Sequence, residues 1–90
     1  MVVRPYQDQS LSKKHFIRSF SIDTPSEELV WHRDHNSRQV TILEGNDWAI
    51  QFDNQVPQSL KVGEKVSIPS NTYHRIIKGT SNLKLDIVEE

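Results

Sequence analysis

The sequence predicts an all-β fold, a small barrel or sandwich, on three observations. Short runs alternate apolar and polar residues with a period of two. Turn signals recur roughly every 8–12 residues, and no segment sustains a helical apolar period. The chain is 90 residues long, which makes one domain with a thin core: 34% of residues are hydrophobic and 26% are charged. A domain this small buries only about 60–65% of its unfolded surface. Self-association through an exposed sheet edge would add stability, so a homodimer is expected.

Each element follows from local chemistry. Residues 1–14 read as an irregular N-terminal segment with Pro5, with a short helical turn near residues 9–14. Residues 15–22 alternate, with Phe16, Arg18, Phe20 and Ile22 on one face; this predicts a strand at an edge, or one exchanged between two copies. Asp23-Thr24-Pro25-Ser26 is a turn, and the barrel itself spans residues 27–88. It opens with a strand over 27–34 that puts Glu28, Val30, His32 and Asp34 on one face and Leu29, Trp31 and Arg33 on the other. Residues 38–43 are rich in β formers, and Glu44-Gly45-Asn46-Asp47 suits a hairpin reversal into a strand over 48–52. Further strands are expected at 60–62, 65–68, 73–77 and 83–88, separated by Gly63-Glu64, Pro69-Ser70-Asn71 and Gly79-Thr80-Ser81-Asn82.

Composition narrows the function classes. The net charge is −1, from 11 basic and 12 acidic residues, so there is no footprint for nucleic acid. Arg4, Lys13, Lys14 and Arg18 form a locally basic stretch that reads as a solvated face. No apolar run approaches the roughly 20 residues of a membrane span, and no signal-peptide core follows Met1, so a cytoplasmic protein without a membrane partner is expected. The absence of Cys excludes disulfides, thiolate nucleophiles and Cys-ligated zinc.

Two segments carry the functional signal. Trp31-His32-Arg33-Asp34 places an imidazole and a carboxylate at i, i+2, on one face of an extended chain. Farther on, Gly63 is followed by five residues, Pro69, one residue, Asn71, two residues and His74. This second stretch resembles the G-x5-P-x-G-x2-H-x3-N motif of the cupins. Gly63, Pro69 and His74 match, Asn71 stands for the second glycine, and Lys78 stands for the final Asn. Asn tolerates the left-handed backbone that the glycine would supply, so the turn should survive. The first segment resembles the other cupin motif, G-x5-H-x-H-x3,4-E-x6-G. His32 and Gly45 match, while Ser26, Asp34 and Arg38 occupy the first-glycine, second-His and Glu positions. The resemblance implies a small double-stranded β-helix, the jelly-roll-like barrel of that superfamily. That scaffold hosts many unrelated functions, so function is argued from the site.

The resemblance implies that His32, Asp34 and His74 are metal ligands. Arg38 cannot ligate, because a guanidinium offers no lone pair. Two imidazoles and one carboxylate suit a divalent first-row transition metal: Fe, and also Mn, Zn or Ni. The His-x-Asp…His order is similar to the triad of the 2-oxoglutarate-dependent oxygenases. A catalytic role would be of oxygenase, isomerase or lyase type, with the ion as Lewis acid or oxygen-activating centre. The expected partner is a small polar or anionic organic molecule, with Arg38, Gln51 and Tyr73 as candidate contacts. Arg38 admits two readings: it holds an anionic ligand group, or it forms a buried pair with Asp34 in a metal-free, non-catalytic binding module. His35 reads as a surface turn residue, His15 as a surface or edge residue, and Trp31 as packing away from His32.

Overall fold

The computed structural model describes residues 5–90; Arg4, counted above in the basic stretch, lies outside them. The described residues form eight strands in two antiparallel sheets. They are β1 (Gln7–Ser12), β2 (His15–Phe20), β3 (Arg38–Glu44), β4 (Ala49–Phe52), β5 (Gln58–Ser59), β6 (Lys65–Ile68), β7 (His74–Ile77) and β8 (Leu83–Glu89). One sheet has the order β1-β2-β8-β3-β6 and the other β5-β4-β7. The all-β class expected from the sequence is the class observed. Among the described residues no helix is long and apolar enough to cross a membrane.

The period-two pattern sets which face is buried. Leu83, Leu85 and Ile87 of β8, Val40 and Ile42 of β3, and Val66 and Ile68 of β6 point inward, while Lys84, Gln39 and Ser67 between them point out. With Phe20, Trp48, Ile50 and Leu60 they make one core between the sheets. Trp48 is fully buried, and its indole N–H donates to the Ser81 carbonyl at 2.7 Å. That bond, with Thr80 N–H to Asn46 O at 2.9 Å, ties the 45–47 loop to the 79–82 loop and closes one end of the barrel. Gly79 is required there, because a Cβ would run into the Asn46 carbonyl and Trp48.

Five expectations are corrected. Residues 7–12 are not irregular and the 9–14 turn is not helical: β1 pairs with β2 from Gln7↔Ser19 to Ser12↔His15, with a bulge near Ser10. Its side chains are exposed on both faces, so no apolar alternation marks it. In consequence β2 is not an edge strand; it lies between β1 and β8 of its own chain. The segment 27–34 is not a strand. Pro25 and the acidic pair Glu27 and Glu28 instead start a single 3-10 turn, Ser26–Glu28. From there to β3 the chain is irregular, apart from one bridge at His32. The Glu44–Asp47 reversal is not a hairpin, because β3 and β4 belong to different sheets. Finally, pairing with β4 falls at Gln58–Ser59 rather than at 60–62.

Candidate metal centre

The site lies at the end of the barrel opposite the 45–47 and 79–82 loops, where β3 begins and β8 ends. Two backbone features build it. His32 and His74 form a mutual bridge, N–H to O at 3.0 Å one way and 2.9 Å the other. Asn71 adopts the left-handed conformation, φ 57°, as its place in the motif predicts. In that conformation its N–H reaches the Asp34 carbonyl at 2.7 Å. One turn therefore positions both His74 and the backbone of Asp34.

The three side chains converge. Asp34 Oδ2 lies 3.6 Å from His74 Nε2 and 3.9 Å from His32 Nε2, and the potential ligand atoms all fall within 4.8 Å of one another. The imidazole rings meet edge to face, with centroids 4.4 Å apart. Each ring is fixed by the carbonyl two residues before it: His32 Nδ1 donates to Val30 O at 3.0 Å and His74 Nδ1 to Thr72 O at 2.9 Å. A carbonyl only accepts, so Nδ1 carries a proton in each ring, and each ring turns its Nε2 toward Asp34. His74 is 3% exposed, and burial lowers its pKa below the ordinary histidine value. Electrostatic interaction with His32 and with Arg38 acts in the same direction, while the Thr72 carbonyl and Asp34 partly oppose it. His74 is therefore neutral at pH 7.

Asp34 Oδ2 is buried without a hydrogen-bond partner. A carboxylate oxygen without a hydrogen bond, facing two imidazole Nε2 atoms, is a donor set that fits a divalent cation. A cation about 2.1 Å from each donor needs donors roughly 3.0–3.5 Å apart, and 3.6 and 3.9 Å are a few tenths wider. The competing charge is Arg38, 13% exposed, whose Nη1 stands 3.4 Å from the same oxygen. Its Nε donates to Glu89 Oε2 at 3.2 Å, so Glu89 shares the guanidinium with Asp34.

Of the other candidate contacts, Arg38 borders the site and two do not. Gln51 follows the inward Ile50 on β4 and so faces out; it donates to Gln55 O at 3.0 Å and accepts from Arg75 Nε at 2.9 Å. Tyr73 precedes the inward His74, is exposed, and lies beside the Arg33 guanidinium. Trp31 is exposed with Arg75 over its ring, and His35 is exposed. His15 pairs with Asp86 at 2.8 Å on the outer sheet face.

Two residues were missed. Glu89 had no local signal, because it lies 51 residues from Arg38 in the chain. Arg18 is not on a solvated face: its side chain is 12% exposed, clamped by Asp8 at 2.8 and 2.9 Å and stacked on Tyr6. Its place between Phe16 and Phe20 in the alternation was the available signal. Arg18, Arg38, Asp34 and both site histidines border a cavity of about 310 Å³ that runs into the barrel among aliphatic side chains.

No family model and no curated protein matches the sequence. Solved structures do match. An RmlC-like cupin family protein with a double-stranded β-helix fold from Methanocaldococcus jannaschii aligns over 97% of this chain and 81% of its own, with TM-score 0.69 and 18% identity. A cupin-2 domain containing protein from Shewanella frigidimarina aligns over 93% and 78%, with TM-score 0.67 and 20% identity. The Fe(II) form of HppE aligns over 84% of this chain and 41% of its own, with TM-score 0.64 and 18% identity.

Proposed function

On the cupin double-stranded β-helix that this chain shares with those structures, we propose a metal-dependent site for a small organic molecule. His32 Nε2, Asp34 Oδ2 and His74 Nε2 hold one divalent first-row transition metal: Fe, Mn, Zn or Ni. The single observation that carries this reading is the buried Asp34 oxygen, without a hydrogen-bond partner, facing two imidazole nitrogens whose Nδ1 protons are already committed. Three protein donors leave coordination positions open. The bound ion supplies Lewis acidity, or a site for oxygen activation.

The chain's own residues do the rest. The carbonyls of Val30 and Thr72 orient the rings. Arg38, held by Glu89, places positive charge beside the open positions and favours an anionic ligand group. The exposed β1 edge offers a route to a homodimer.

Metal analysis of protein purified without a His-tag tests the reading. About one equivalent of a first-row metal is expected, falling below about a tenth in Asp34→Ala. A second reading, a metal-free binding module, is favoured by the 3.4 Å approach of Arg38 Nη1 to Asp34. It stands if wild-type protein stays below about a tenth of an equivalent after Fe, Mn or Zn is supplied.

A further inference from the structure

We infer that the ligand of this site is an amphipathic monoanion, with one carboxylate-type head at the metal and an aliphatic body inside the barrel. This rests on the metal reading above and specifies the class of molecule.

The first ground is the chemistry of the cavity wall. Behind the histidines the cavity is lined by Ile50, Leu60, Val66, Ile68, Ile76 and Leu85, none of which carries a side-chain donor or acceptor. Its volume of about 310 Å³ is at the lower end of small-molecule sites. A ligand body rich in hydroxyl or phosphate groups would lose its water there and find no partners. An alkyl body loses nothing and gains by burial. The mouth is mixed: Val30, 59% exposed, and the exposed Glu28 both border the cavity.

The second ground is charge. Two guanidinium groups border the cavity, and both are matched by carboxylates of the protein. Asp8 clamps Arg18 through two bonds, and Glu89 holds Arg38. Glu28 also borders the cavity, but it is exposed at the rim and screened by water, so a divalent ion beside Asp34 leaves one positive charge unmatched inside. A monoanionic head cancels it. A second anionic group on the ligand would have to displace a carboxylate from an arginine or sit unpaired among aliphatic groups, and both are costly.

Isothermal titration calorimetry on the Zn-loaded full chain tests this, with butyrate, hexanoate, octanoate and adipate as probes. Affinity is expected to rise about fourfold per added methylene along the monocarboxylates, the equivalent of about 0.8 kcal/mol each. Adipate, of hexanoate length with a second carboxylate, is expected to bind at least about tenfold more weakly than hexanoate. A series that does not strengthen with chain length overturns the inference. So does adipate binding more tightly than hexanoate, because Arg18 or Arg38 would then be reading a second anion. Zn loading is measured first. Failure to load removes the metal reading and this one with it, whereas normal loading followed by a flat series removes the amphipathic ligand alone.

Discussion

Glu89 decides how much of Arg38's charge the candidate metal ion meets. Its Oε2 accepts a hydrogen bond from Arg38 Nε at 3.2 Å, while Arg38 Nη1 stands 3.4 Å from Asp34 Oδ2. Without the charge at position 89, Asp34 becomes the principal counter-ion of Arg38, and its oxygen is less available to a cation. Glu89→Gln is expected to lower Zn affinity by about tenfold, the usual scale for a residue acting one step behind the ligands. Competition against a chromophoric chelator measures it, and an unchanged affinity would remove Glu89 from the site. At this scale the sequence was uneven. His32, Asp34 and His74 could be singled out because the two motifs carry them. Gln51 and Tyr73 were chosen for their polar tips, but their inward neighbours Ile50 and His74 assign both to the outer face.

Among the elements, the turn before β7 does the most positioning, since Asn71 N–H holds the Asp34 carbonyl while the chain runs on into His74. Its φ of 57° suits Asn or Gly and strains a β-branched residue. Asn71→Gly is expected to stay within about 0.5 kcal/mol of wild type, whereas Asn71→Val loses about 1–2 kcal/mol and weakens metal binding. Urea unfolding and the chelator assay measure the two effects, and a Val variant as stable as the Gly variant would contradict the strain argument. Elements were legible where one face is apolar, as in β3, β6 and β8. β1 was illegible because it is polar on both faces and is held by backbone pairing to β2. The stretch 27–34 alternates like a strand, yet turn chemistry at Pro25 prevails, and only His32 finds a bridging partner.

For the whole molecule, the burial that keeps His74 neutral links stability to pH. Its folded-state pKa lies below the value of 6.5 taken by a free histidine. As pH falls, the unfolded chain therefore binds this proton first. The contribution is fully present above about pH 6.5 and is lost as pH falls from there through the lower folded-state pKa. The urea midpoint of metal-free protein is expected to drop between about pH 7.5 and pH 5, and the drop should be smaller in His74→Gln. Equal drops in the two proteins would assign the linkage to other groups.

The two sheets and the 45–47 and 79–82 loops do the holding, whereas the rim from Ser21 to Ser37 is stitched down by few bonds. Five of its residues, Glu28, Leu29, Val30, His32 and Asp34, border the cavity. Selectivity could accordingly be redesigned by grafting different lengths and side chains into the part of that rim before His32. The rigid chassis, and the anchoring of His74 within it, would be left intact.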